Sequence, residues 1–190
     1  MQEKGTILII EDHLEEKIGQ FKECLDREGY DVKTAETLEE ADIVLVELLK
    51  NNSLDGIILD FSFPIDNVDQ SVTVDNMPSG VFLFKKYEFK INTQRIPVVI
   101  NTTGDEEYKR KYLGDIKNSG TPIYNVNQQA NPLAQANPEM VQEILKMFNE
   151  RTEQRKIISQ AKPDKKWIQR GQTGIYDKKN NTYTYLRNGD

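Results

Sequence analysis

The sequence is poor in the residues that build cross-linked or metal-ligated scaffolds. Its 190 residues include one cysteine, Cys24, and one histidine, His13. A single cysteine excludes an intramolecular disulfide framework and suits a reducing cytoplasm. A single histidine excludes a multi-histidine metal site, and a serine–histidine–aspartate site would have to be built on His13 alone. No run of 18 apolar residues occurs, so no segment reads as a membrane span. The opening MQEKGTILIIED passes from a short apolar run straight into acids. It reads as neither a secretory signal nor a transit peptide. Basic residues are missing in two places: Phe61 to Ser79 has no lysine or arginine, and Asn118 to Gln135 has no lysine.

What is present is acidic and unevenly spread. The 25 basic and 31 acidic residues give a net charge of −6. From Pro163 to Asp190 there are six basic residues (Lys165, Lys166, Arg170, Lys178, Lys179, Arg187) and three acidic ones, so this tail is +3 and the rest −9. An acidic body does not suit broad nucleic-acid binding, which needs a basic face to release counterions. A length of 190 residues fits one domain with an appendage. We divide the chain into a domain over 1–160 and an extension over 161–190.

Apolar runs alternate with amphipathic stretches. Thr6–Ile10 (TILII) reads as a strand buried on both faces. Leu14, Ile18, Phe21 and Leu25 have helical spacing, and Gly29 closes that helix. Tyr30–Ala35 alternates like an edge strand. Thr37 and Glu40 form a capping-box pattern opening a helix through Leu49. Gly56–Leu59 is a second buried run, ending at Asp60. Phe61–Ser79 is long for a connection inside a compact domain and is expected to be either functional or disordered. Val81, Phe84, Tyr87 and Ile91 space a helix over Gly80–Ile91, whose aromatic cluster (Phe82, Phe84, Tyr87, Phe89) reads as core and packing surface. Ile96–Ile100 is a third buried run, followed by Asn101 and Thr102. Asp105–Lys117 reads as a polar helix and Pro122–Val126 as a short strand. Pro138–Ser159 reads as a long helix with Asn137 as N-cap. Five strands alternating with helices predict an α/β fold, a doubly wound five-stranded parallel sheet in the order 2-1-3-4-5. In the tail, Gly174–Asp177 and Thr182–Leu186 read as a β-hairpin.

Ligands of such a sheet bind beyond the carboxyl ends of its strands. Those ends carry Glu11 and Asp12, then Asp60, then Thr102. Carboxylates brought to one edge repel one another unless a cation neutralises them, and oxygen ligands suit Mg2+. A carboxylate beside that ion is a nucleophile toward a phosphoryl group, and the Thr102 hydroxyl is placed to hydrogen-bond the product.

These motifs resemble the receiver domain of response regulators (the CheY-like superfamily, with a flavodoxin-like fold) in two-component signalling. ILIIED is similar to the family's first strand with its acidic pair, GIILDFSFP to the strand bearing the phospho-acceptor aspartate, and IPVVINTT to the strand with the switch hydroxyl. The resemblance covers about the first 150 residues. It implies that Asp60 accepts a phosphoryl group and that Glu11, Asp12, Asp60 and the backbone carbonyl of Ser62 hold Mg2+. It implies that Thr102 bonds the phosphoryl group and signals its arrival. It also implies a histidine kinase or phosphotransfer protein as donor and a downstream protein as recipient of the signal, with no enzymatic activity in the usual sense.

Two departures mark the chain as atypical. The family's lysine at the end of the fifth strand is absent, and Asn125 or Asn127 takes its place. The connection between Asp60 and Thr102 is longer than the family pattern and carries Asp66, Asp69 and Asp75, expected over the site. A phosphorylation-independent pseudo-receiver is therefore the alternative reading, and a Mg2+-dependent phosphatase or hydrolase is a further one. The last helix and tail are expected to support a homodimer, and the protein to be cytoplasmic, with neither membrane nor nucleic acid among its partners.

Overall fold

In the computed structural model the described residues are 4–68, 70–102, 106–117, 123–125, 133, 137–160, 174–177 and 182–185. The chain separates into two compact units, Met1–Glu153 and Gln154–Asp190.

The first unit opens with β1 (Thr6–Ile10) and α1 (Leu14–Arg27). Ile18, Phe21 and Leu25 bury one face of α1. Gly29 then takes a positive φ of 86°, which only glycine adopts freely, and turns the chain into β2 (Asp31–Ala35). Helix α2 (Leu38–Asn51) starts where Thr37 Oγ1 accepts the Glu40 N–H at 3.3 Å. Strand β3 (Leu54–Leu59) is buried at all six positions. Next come the two-residue strands β4 (Thr73–Val74) and β5 (Met77–Pro78), then α3 (Ser79–Thr93) and β6 (Val98–Ile100). Helix α4 (Glu106–Lys117) and β7 (Ile123–Asn125) follow, and α5 (Pro138–Gln160) starts in this unit and runs past its end at Glu153.

The main sheet has the order β2-β1-β3-β6-β7, with every pairing parallel. Counting only its own five strands, this is the expected order 2-1-3-4-5. Along β1, Ile7 and Ile9 enter the core shared with α1 and α5, while Leu8 and Ile10 enter the core under α2, α3 and α4. Both faces are covered, and this is why the inner strands β1, β3 and β6 are apolar runs rather than alternating ones.

The long connection after Asp60 is ordered over its described residues. Phe61 and Phe63 are fully buried. The Ser79 hydroxyl donates to the Phe63 carbonyl at 2.7 Å and accepts the Phe63 N–H at 3.0 Å. Strands β4 and β5 pair antiparallel, and Asp75 and Asn76 between them both have positive φ (52° and 60°), as a tight primed turn requires. Pro64 and Ile65 turn their carbonyls to the N–H groups of Leu38 and Glu39, which caps α2. One expectation fails in α3. Phe84 and Tyr87 are buried, but Phe89 is 80% exposed and lies outside the core.

In the second unit β8 (Gly174–Asp177) and β9 (Thr182–Tyr185) pair antiparallel, with Asp177 opposite Thr182. No helix among the described residues is long and apolar enough to cross a membrane.

Candidate functional site

Strand register assembles the site. Ala35, Ile10, Leu59, Ile100 and Asn125 lie in one row across the sheet. One residue further, the ladder continues without strand geometry: the Glu11 N–H bonds the Ala35 carbonyl (3.0 Å), the Asp60 N–H the Ile10 carbonyl (3.0 Å), and the Asn101 N–H the Leu59 carbonyl (2.9 Å). Glu11, Asp60 and Asn101 therefore leave adjacent strands at one level. All three are buried.

Carboxylate oxygens of Glu11, Asp12 and Asp60 lie within 4.8 Å of one another. The Lys17 ammonium lies among them, 2.6 Å from Glu11 Oε1, 2.9 Å from Asp60 Oδ2 and 3.8 Å from Asp12 Oδ1. Lys17 belongs to the first turns of α1, and its N–H bonds the His13 carbonyl. Side chains of a helix lean toward its N-terminus, so this position returns the amine to the strand edge. A cation near a helix N-terminus opposes the helix dipole, and the carboxylates offset that cost.

The other contacts fix the acids. Asp60 Oδ1 accepts the Phe61 N–H at 2.6 Å and the Ser62 N–H at 3.4 Å. Glu11 Oε1 accepts the His13 N–H at 3.2 Å, and Glu11 Oε2 faces the Asn101 amide at 3.4 Å. Burial pushes the Glu11 carboxyl up and the neighbouring Asp60 charge adds to it. Lys17 pulls the other way, and the net pKa is about 7. For Lys17, burial opposes the charge, but Asp60 and Glu11 outweigh it and raise its pKa.

The donor set suits a hard divalent cation. It is all oxygen, with three carboxylates, and Asp12 Oδ1 is buried without a hydrogen bond. The residues that fit Mg2+ are thus Glu11, Asp12 and Asp60, with Lys17 sharing the same oxygens.

Other expected residues stand as follows. Thr102 is buried two residues beyond β6, at the same sheet edge. Ser62 reaches Asp60 through its N–H. Asn125 ends β7 in the row before Glu11 and Asp60, while Asn127 lies outside the described residues. The Asp66 carboxylate accepts the Val68 N–H at 2.6 Å, a local turn contact, and Asp75 is in the β4–β5 turn; Asp69 lies outside the described residues. His13 is at the rim, its ring 3.6 Å from Asp12 Oδ2. Sequence reasoning missed Lys17 and Asn101. The signal for Lys17 was available: a lysine just after Glu15 and Glu16, in the part of a helix that favours acids.

Neither a protein-family model nor a curated protein matches the chain. Solved structures do. The receiver domain of NtrC4 from Aquifex aeolicus is 20% identical, with a TM-score of 0.51 over 77% of this chain and 98% of that one. A response regulator receiver domain from Clostridium thermocellum is 19% identical, with a TM-score of 0.51 over 81% of this chain and 98% of that one. A signal receiver domain of a two-component histidine kinase from Clostridium thermocellum is 22% identical, with a TM-score of 0.51 over 75% of this chain and 98% of that one. The chain carries the flavodoxin-like fold of response-regulator receiver domains.

Proposed function

We propose that this protein is a receiver-type signalling module that accepts a phosphoryl group on Asp60 and passes the signal on by protein–protein association. The supporting observation is the cluster of Glu11, Asp12 and Asp60 at the carboxyl edge of the sheet, where ligands of this architecture bind. A phosphohistidine of a kinase or phosphotransfer protein is the donor. Its phosphorus–nitrogen bond breaks as a phosphorus–oxygen bond to an Asp60 carboxylate oxygen forms. The imidazole leaves as the neutral ring from its protonated form. Mg2+, held by Glu11, Asp12 and Asp60 with the Ser62 carbonyl, would supply charge neutralisation for the transferring oxygens. The Phe61 N–H fixes one Asp60 oxygen. Thr102, and Asn125 in the place of a lysine, are the polar groups we assign to the phosphoryl oxygens. The module has no turnover chemistry of its own and works in the cytoplasm, its recipient a downstream protein, a second copy of the chain included.

Incubation with acetyl phosphate and Mg2+ is the direct test. Intact mass should rise by one phosphoryl group, and Asp60→Asn should abolish the gain. An unchanged mass, together with amide spectra unmoved by beryllofluoride, would overturn the reading.

A phosphorylation-independent pseudo-receiver is the second reading. The Lys17 ammonium on Asp60 Oδ2 favours it, because the acceptor oxygen is already paired.

A further inference from the structure

We propose that Lys17 is a tethered counter-cation that holds the position a divalent ion would take among Glu11, Asp12 and Asp60, so that an ion must displace it to bind. The inference deepens the receiver reading, and it rests on that reading for the identity of the pocket.

The geometry carries it. One ammonium touches two of the three carboxylates at 2.6 and 2.9 Å and stands 3.8 Å from the third. A metal bridging the same oxygens would have to occupy the same space. The two cations also compete in charge. Three carboxylates carry −3 when ionised, and the resident ammonium brings the pocket to −2, which weakens its attraction for a dication. The lysine is anchored by its own helix and leaves only by swinging about its side-chain bonds. Only 20% of its side chain is exposed, so this is a held contact rather than a solvated surface pair. Asp60 is governed by the same competition. While Lys17 is in place, Asp60 Oδ2 is bound to an ammonium and Oδ1 to the Phe61 N–H. Displacing Lys17 removes the ammonium from Oδ2, which then meets the ion or, where a partner draws the lysine out, stands without its counter-cation. Divalent ion concentration, or a partner that draws the lysine out, thereby sets how much of Asp60 is released from its ammonium. No lysine lies between Asn118 and Gln135, so this chain's amine reaches the pocket from α1 rather than from the region of β7.

Mn2+ titration of the full chain, read by the electron-spin signal of free Mn2+, tests this. Lys17→Met keeps an unbranched side chain, one atom shorter, and removes its charge. It should bind Mn2+ at least about tenfold more tightly than the wild type, the scale of one lost competing ion pair. Equal affinities for the two proteins would overturn the proposal. Should Lys17→Met fail to fold, wild-type protein labelled at the lysine Nζ gives the answer by NMR. The Lys17 signal should shift as Mg2+ is added, and Mg2+ binding with that signal unmoved would overturn the proposal equally. The two ideas fail separately. Equal Mn2+ affinities with a beryllofluoride adduct on Asp60 remove the tethered cation and leave the receiver. Tighter binding by Lys17→Met with no adduct in either protein removes phosphorylation and leaves the tethered cation.

Discussion

Gly80 lies so close to the backbone carbonyl of Asp60 that a Cβ at this position would collide with it. The first turn of α3 therefore packs directly on the segment that follows β3, and the Gly80 N–H bonds the Phe61 carbonyl at 2.9 Å. Alanine would gain helix propensity, worth about 0.5–1 kcal/mol. The clash is with backbone, which cannot swing aside, so it wins. Gly80→Ala should lose about 1–3 kcal/mol in urea denaturation. The Phe61 and Ser62 amide signals should move with it. A stable variant with unmoved signals would show that α3 does not set the loop after Asp60.

A second close approach locks α5 to the sheet. A Cβ on Gly56 would run into the Phe148 ring, and that ring also meets Tyr30 edge-on with centroids 6.3 Å apart. Phe148→Ala should cost about 3–5 kcal/mol, since the residue is fully buried. Gly56→Ala should cost about 1–3 kcal/mol by overpacking. In the pair Gly56→Ala with Phe148→Leu, the smaller ring site should take up the added methyl. The double variant is then more stable than the sum of the single losses, which a double-mutant cycle reads directly.

Acid should loosen the contact between α2 and α3. Asp42 Oδ1 accepts from Lys86 Nζ and from the Tyr87 hydroxyl, each at 2.7 Å. Burial tends to raise the Asp42 pKa, but these two donors outweigh it and hold it below the ordinary 3.8. A depressed carboxylate pKa adds stability that is fully present above the unfolded value and is lost as pH falls through the folded one. Wild type should therefore exceed Asp42→Asn in stability at neutral pH, and the gap should close below the ordinary carboxylate range. Denaturant midpoints at several pH values check this, and a gap that widens on acidification would refute it.

The start of α5 rests on a cap. Asn137 Oδ1 accepts the N–H groups of Glu139 and Met140 at 3.1 and 3.2 Å. Asn137→Ala should cost about 1 kcal/mol, and Asn137→Asp should restore most of it. Thermal unfolding of the three proteins gives the comparison.

Much of this architecture was legible because burial on both faces writes strands as apolar runs. TILII and GIIL announced β1 and β3, and Thr37 and Asn137 announced two helix starts. The acids at the strand ends followed from the strands themselves. Phe61–Ser79 was not legible in the same way. Its order comes from Ser79 bonding Phe63 across 16 residues and from α2 borrowing the carbonyls of Pro64 and Ile65. Neither contact has a periodic trace. Phe89 misled for a related reason, since a helical aromatic counts as core only when its face meets a neighbour.

By itself the sequence determined the order of elements, the parallel sheet and the carboxylates at its edge, because these follow from local periodicity and from the rule that crossovers are right-handed. Only the tertiary structure decided which cation those carboxylates meet. Lys17 is six residues from Glu11 but 43 from Asp60. It joins them only because parallel β1 and β3 bring their ends to one level and α1 leans its side chains back over that edge. A charge pattern along the chain does not carry that distance; strand register and helix direction do.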